Sequence, residues 1–180
     1  MHRFLMQDIE TSRLLLRRFT SRDLDDFALL NSDPDVMRYI GGGKAQSKAQ
    51  TRMRLNAILD HWEQHGFGLW AAVDKTSRAM IGFCGIQYLD NTSEIEIGYR
   101  LEKRFWGMGL ATEAAGASLR YAFEQLGLER IVAVVHPENV ASQSVISKIG
   151  LKYLKDARFY NTDVEYYAIT REEFEDRYST

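Results

Sequence analysis

The chain has one cysteine, Cys84, in 180 residues, so no internal disulfide can staple it and a reducing compartment suits it. No apolar run approaches the roughly 18 residues that span a bilayer. Residues 1–10 lack the pattern of a secretory leader, so the expectation is a cytoplasmic protein with no membrane partner. Net charge is −2 with no basic block, which leaves a nucleic acid no electrostatic footprint. The four histidines, His2, His61, His65 and His136, share no metal-ligand spacing with carboxylates or the cysteine, so no metal is expected. Repeats, linkers and low-complexity segments are missing too. One domain over residues 1–180, monomeric or homodimeric, is the expectation.

What is present is an ordinary globular composition, 45% hydrophobic and 27% charged. Residues 14–19 read as a first strand, and Thr20 with Asp23 spells a capping box opening a helix to about Asn31. Pro34 starts a short second helix, and the glycines at 41–43 make a flexible break. Ser47 and Gln50 cap a third helix, with Leu55, Ile58, Leu59 and Trp62 at helical spacing and Gly66 at its end. Strands at about 68–74, 80–88 and 94–101, separated by turn residues, form an antiparallel meander. An Ala-rich helix to about Leu126 follows, with Ala111, Ala115, Leu119, Ala122 and Leu126 on one stripe. Then come a buried-type strand at 131–135, a helix at 140–149 capped by Asn139, strands at 151–157 and 164–169, and a last helix opened by Thr170 and Glu173. The order reads as one mixed α/β layer domain.

The chain is organised around Arg104-Phe105-Trp106-Gly107-Met108-Gly109-Leu110-Ala111-Thr112-Glu113-Ala114, which lies between a strand and a helix. Two glycines one residue apart let the backbone curl with its N–H groups pointing one way, and the helix adds its unsatisfied first-turn donors and positive dipole end. A phosphate or pyrophosphate is the natural guest, with Arg104 as an added charge. A P-loop needs Lys-Ser/Thr after the last glycine, where this chain has Leu110 and Ala111; a Rossmann turn needs Gly or Ala where it has Thr112.

The pattern Arg-x-x-Gly-x-Gly-x-Ala instead resembles the acetyl-CoA pyrophosphate loop of the GNAT N-acetyltransferase superfamily. The element order is similar to that fold over residues 11–175. Within the superfamily the RimJ/RimL-type branch, which acetylates N-terminal amines of ribosomal proteins, is the closest likeness. It is carried by Thr11-Ser12-Arg13-Leu14-Leu15-Leu16-Arg17, Ile81-Gly82 with Gly85, Glu96-Ile97-Gly98-Tyr99, the loop itself, Pro137-Glu138-Asn139-Val140-Ala141-Ser142 and Lys148-Ile149-Gly150-Leu151. The resemblance implies a mixed, mostly antiparallel central sheet flanked by helices, and acetyl transfer from acetyl-CoA to a primary amine by direct attack in a ternary complex.

It also implies roles. The backbone at Ile97 and Tyr99 would pair with the pantetheine arm, and the N–H groups of Gly107, Met108, Gly109, Leu110, Ala111 and Thr112 would hold the pyrophosphate. A lysine-like amine has a pKa of about 10.4 and an α-amine about 8, so a base must take a proton before attack. Glu96, on the strand beside the expected thioester, is the favoured base; it could equally orient the amine or support the strand, and Glu165 is a second candidate. Many members place a Tyr near the CoA sulfur where this chain has Ile146. Ser142 could serve the leaving thiolate instead, with Asn139 contacting the cofactor or only capping its helix. Tyr88 and Tyr99 line the acceptor groove or are plain strand aromatics, and Cys84, in an apolar strand, reads as inert. The acceptor is a protein N-terminus or a small amine; antibiotic acetylation, a non-catalytic CoA-binding module and, more distantly, a nucleotide-binding oxidoreductase are the rivals.

Overall fold

The computed structural model describes residues 8–178. His2, and most of the segment weighed as a leader, lie outside the described residues.

The chain forms a mixed α/β structure with helices packed on one mostly antiparallel sheet. Its sheet has strands β1 (Ile9–Glu10), β2 (Leu14–Arg18), β3 (Leu69–Asp74), β4 (Met80–Tyr88), β5 (Ile95–Leu101), β6 (Arg130–Val135), β7 (Lys152–Phe159) and β8 (Thr162–Thr170), in the spatial order β1-β2-β3-β4-β5-β6-β8-β7. Every neighbouring pair is antiparallel except β5 and β6. The helices are α1 (Leu24–Ser32), α2 (Pro34–Met37), α3 (Lys48–His65), α4 (Leu110–Glu124), α5 (Val140–Lys148) and α6 (Arg171–Tyr178).

Alternation along β4 sets the two layers. Phe83 meets Phe27 of α1 edge-on at 5.9 Å, whereas its neighbour Cys84 points the other way, with Sγ 3.4 Å from the Ser118 hydroxyl of α4. Helix α4 can lie this close because the face it buries is small: Ala114, Ala115, Ser118 and Ala122 are fully buried around Leu119. The expected stripe is seen, with Ala111 and Leu126 half-buried at its ends. Burial pushes the Cys84 thiol up to about 12, which keeps it protonated and unreactive, as its apolar strand suggests.

The caps follow from the sequence. Gln50 N–H donates to Ser47 Oγ (3.2 Å) and Ser47 N–H to Gln50 Oε1 (2.8 Å), while Gly66 closes α3 in a left-handed conformation, φ +74°. Thr170 and Glu173 make the same reciprocal pair before α6.

Three expectations are corrected. A short strand, β1, precedes the first one expected; its two residues are too few to show a period. The helix expected from Thr20 begins with a 3₁₀ turn, Ser21–Asp23, because Asp23 is drawn out of the helical pattern into a bidentate pair with Arg17 (2.7 and 2.9 Å). Strands β7 and β8 run longer than their apolar cores, since β7 is a polar edge strand that pairs with β8 along its full length.

One close approach supports β5 from behind. A Cβ on Gly82 would sit 2.1 Å from the Arg100 carbonyl oxygen and 2.8 Å from Leu101 Cα, so only glycine lets β4 pass there. Gly82→Ala is therefore expected to cost about 3 kcal/mol, by the strain of forcing backbone apart. Thermal unfolding should show Tm lowered by roughly 6–12 °C.

Candidate active site

Strands β5 and β6 run parallel and share one registered pair, Glu96 opposite Val132. Beyond it they part, and a cavity of about 690 Å³ opens through the sheet. Its lining includes Glu96, Ile97, Gly98, Tyr99 and Arg100 from β5, Ala133 and Val135 from β6, and Asn139, Ser142 and Ile146 of the α5 region. Because side chains alternate along β5, Ile97 and Tyr99 face the α4 side, while Glu96 and Arg100 face the α1 side. The opening thus joins two chemically different half-sites.

On the α4 side, Asn139 caps α5 by accepting the Ser142 N–H at 3.1 Å. The first turn of α5 carries the Ser142 hydroxyl into the cavity, 2.8 Å from the Tyr99 hydroxyl, which also reaches the Ser142 carbonyl at 3.2 Å. Burial pushes the Tyr99 phenol well above its ordinary value, so it remains a proton-bearing donor. Ile146 lines the same space, fully buried. The sequence reading looked for a phenol on α5 and found Ile146; the structure brings one in from β5 instead. Only period-two alternation combined with the position of α5 could have signalled it.

On the α1 side, Glu96 is buried, 4% exposed. It accepts from Gln87 Nε2 at 2.9 Å and from the Tyr160 hydroxyl. Burial raises its pKa above the ordinary carboxylate value, although the Tyr160 and Gln87 hydrogen bonds and the Arg54 charge pull the other way. Tyr160 sits in the β7–β8 turn at φ +52° and exchanges hydrogen bonds with Asp90, its hydroxyl accepting the Asp90 N–H at 2.9 Å and its own N–H reaching Oδ2 at 3.0 Å. Sequence reasoning missed Tyr160, Gln87 and Arg54, which reach Glu96 from three separate elements. Glu165 falls on the other face of the sheet from Glu96, on the row of β8 that carries Tyr167 and Ile169 into the main core, and its carboxylate accepts from the Tyr167 hydroxyl at 2.6 Å. It is no alternative to Glu96 within one site.

The glycine turn lies past the end of β5, outside the cavity lining. A 3₁₀ turn, Lys103–Phe105, leads into it, and Gly109 at φ +77° is the N-cap of α4. A Cβ on Gly107 would meet nothing within 4 Å. The backbone N–H groups of residues 107–112 have no partner among the described residues, while Glu113 N–H already bonds the Gly109 carbonyl. Open space, a run of unpaired donors and a helix start fit a pyrophosphate. The turn is held from outside. Arg13 Nη1 donates to the Met108 carbonyl at 2.8 Å, and Glu113 accepts from the Thr11 hydroxyl (2.6 Å), Arg13 N–H (2.8 Å) and Arg13 Nε (2.7 Å). This ties the Met108 carbonyl and the first turn of α4 to the strand β2 end of the chain.

Arg104 lies three residues before Gly107 with an exposed side chain; its Nε donates to Glu102 at 2.7 Å and its guanidinium lies over the Phe105 ring. Trp106 packs beside the turn, with Nε1 donating to the Leu101 carbonyl at 2.8 Å. No group of three metal-ligating side chains is found among the described residues, and no helix there is long and apolar enough to cross a membrane.

Residues 13–152 match the family model for an acetyltransferase (GNAT) domain. An uncharacterised Bacillus subtilis protein, YkkB, is 40% identical over 87% of this chain and 92% of its own length. The crystal structure of a GNAT-family acetyltransferase from Bacillus anthracis superposes with TM-score 0.77 at 30% identity, covering 92% of this chain and 99% of that one. A spermidine N-acetyltransferase from Vibrio cholerae, solved with CoA and spermine, shares the fold at 20% identity, with TM-score 0.75 over 91% and 99% of the two chains.

The raised pKa of Glu96 carries a stability signature. The native state holds its proton more tightly than the unfolded chain, so this group favours folding at low pH. That contribution fades as pH rises from the ordinary carboxylate pKa through the raised native one. Glu96→Gln, neutral at every pH, should lack this decline; Tm measured against pH for both proteins checks it.

Proposed function

The chain belongs to the GNAT acetyltransferase family and is an acetyltransferase; on that premise we propose that it moves an acetyl group from acetyl-CoA to a primary amine by direct attack in a ternary complex. One observation carries the reading: a single opening in the sheet exposes a buried carboxyl on one face and a paired phenol and hydroxyl on the other. Acetyl-CoA supplies the activated thioester. The donors of residues 107–112 receive its pyrophosphate, and the unpaired edge of β5 at Ile97 and Tyr99 receives the amide-bearing arm as an added strand. Asn139 and Ser142 border the path.

The protein then has two protons to manage. Glu96 takes one from the incoming ammonium, directly or through water, and its raised pKa brings it nearer the working pH of a general base. The amine nitrogen bonds the acetyl carbon as the carbon–sulfur bond breaks. Ser142 donates a hydrogen bond to the departing sulfur, with the Tyr99 hydroxyl behind it to replace the proton. The raised phenol of Tyr99 suits this role because it holds its proton until a stronger base develops beside it. The balance is one amide and one thiol formed: of the two protons the nitrogen sheds, the first leaves through Glu96 to solvent, and the second, lost as the amide forms, makes good through water the proton that Ser142 and Tyr99 gave to the sulfur.

The motif likeness to the RimJ/RimL-type branch supports an N-terminal amine of a protein as acceptor, with small amines as the alternative. Residues 1–180 act as one such domain, and the lone thiol supports a cytoplasmic setting.

Thiol release from acetyl-CoA, measured with peptide N-termini, polyamines and aminoglycosides, tests the reading. Turnover on one class is expected. Glu96→Gln should lower kcat/KM roughly 100-fold or more at unchanged CoA affinity. Undiminished activity in that variant would remove Glu96 from the role of base.

A further inference from the structure

The α1-side half of the cavity holds two arginines that the transfer chemistry does not use. Arg54, half-buried on α3, donates from Nη2 to Gln87 Oε1 at 2.7 Å, and Gln87 in turn donates to Glu96. Arg100, half-buried on β5, donates from Nη1 to the fully buried Asn31 side chain and lies over the Phe83 ring at 5.0 Å. Its Nε is buried without a partner. Neither arginine meets a carboxylate in a salt bridge among the described residues. Burial pushes the Arg100 guanidinium down to about 9, and the Arg54 charge pushes it the same way.

Desolvated like charges with no counter-ion are costly. Glu96 attracts Arg54 but is held off it by the Gln87 amide that bonds both, and it forms no ion pair with either arginine, so it offsets the pair only in part. Between Glu96 and Arg100 on this row of β5 stands Gly98, where a Cβ would meet nothing within 4 Å. Room is therefore left between the group that receives an amine and the pair that lacks an anion.

We propose that the acceptor is an amine carrying a carboxylate or phosphate group, its nitrogen set at Glu96 and its anion held by Arg54 and Arg100. This rests on the acetyl-transfer reading for the identity of the amine half. It also sets the chain apart from any enzyme for polyamines, whose second cation would face two guanidinium groups.

Binding and turnover are measured separately. O-phosphoethanolamine and ethanolamine, then β-alanine and propylamine, are titrated calorimetrically into the CoA-saturated protein, with spermidine alongside. Each anionic member should bind roughly 10-fold or more tightly than its neutral twin, and spermidine should not compete. Gly-Asp-led and Gly-Asn-led peptides distinguish an acidic polypeptide terminus from a free zwitterion. Arg100→Gln and Arg54→Gln should abolish the difference while CoA affinity stays as in wild type; Arg54→Lys should keep part of it. Equal binding of the twins, a preference for spermidine, or a preference surviving both Gln variants overturns the proposal. Thiol release with the same compounds reads the other claim. Anion-selective binding without release would sink acetyl transfer and leave the site standing, whereas release without anion preference would do the reverse.

Discussion

Strands β5 and β6 meet at Glu96 and Val132 and then diverge, and the cavity that crosses the sheet depends on that break in the ladder. A continuous sheet would separate its two faces completely, because alternate side chains have no route across the backbone. Here the gap joins the space beside Ile97 and Tyr99 to the space beside Glu96. Helix α4, which carries the chain from β5 to the parallel β6, packs on β4 and β5 and holds the parting strands in one layer.

The break also accounts for the uneven polarity of the interior. Away from it the core is aliphatic and aromatic, with few buried polar groups: Ser118 pairs with Cys84, while Trp70 Nε1 is buried without a partner. Around it lie Glu96, Arg54, Arg100, Tyr99 and Tyr160, each displaced from its ordinary pKa by burial. Groups this costly to bury are spread over α3, β5 and the β7–β8 turn, so the surrounding elements must be stable enough to carry them.

That distribution explains what the sequence discloses. The caps at Ser47 and Thr170, the Ala-rich face of α4 and the glycine turn are local patterns, and each is legible from a few neighbouring residues. The loop's shape was readable for the same reason, since two glycines and a helix start are contiguous. Arg104 is next to the turn in sequence, but its pairing with Glu102 and Phe105 could not be read from that spacing. Glu96 was legible from its place beside the expected thioester, but its neighbours were not. Gln87, Arg54 and Tyr160 come from three elements brought together only by the sheet order, and no spacing rule links them. Glu165 failed on a single geometric fact: the row of β8 it occupies faces the other side.

The hold on the glycine turn by Thr11 and Arg13 bears on how the molecule is made. These residues lie about a hundred positions before Glu113 in the chain. The turn's final shape therefore waits on a long-range closure that local helix formation cannot hasten. During synthesis the amino-terminal strand emerges early and has no partner for its polar side chains until the middle of the chain follows. Helix α4 can wind by itself, but its first turn is fixed only when Thr11 and Arg13, made well before it, return to it.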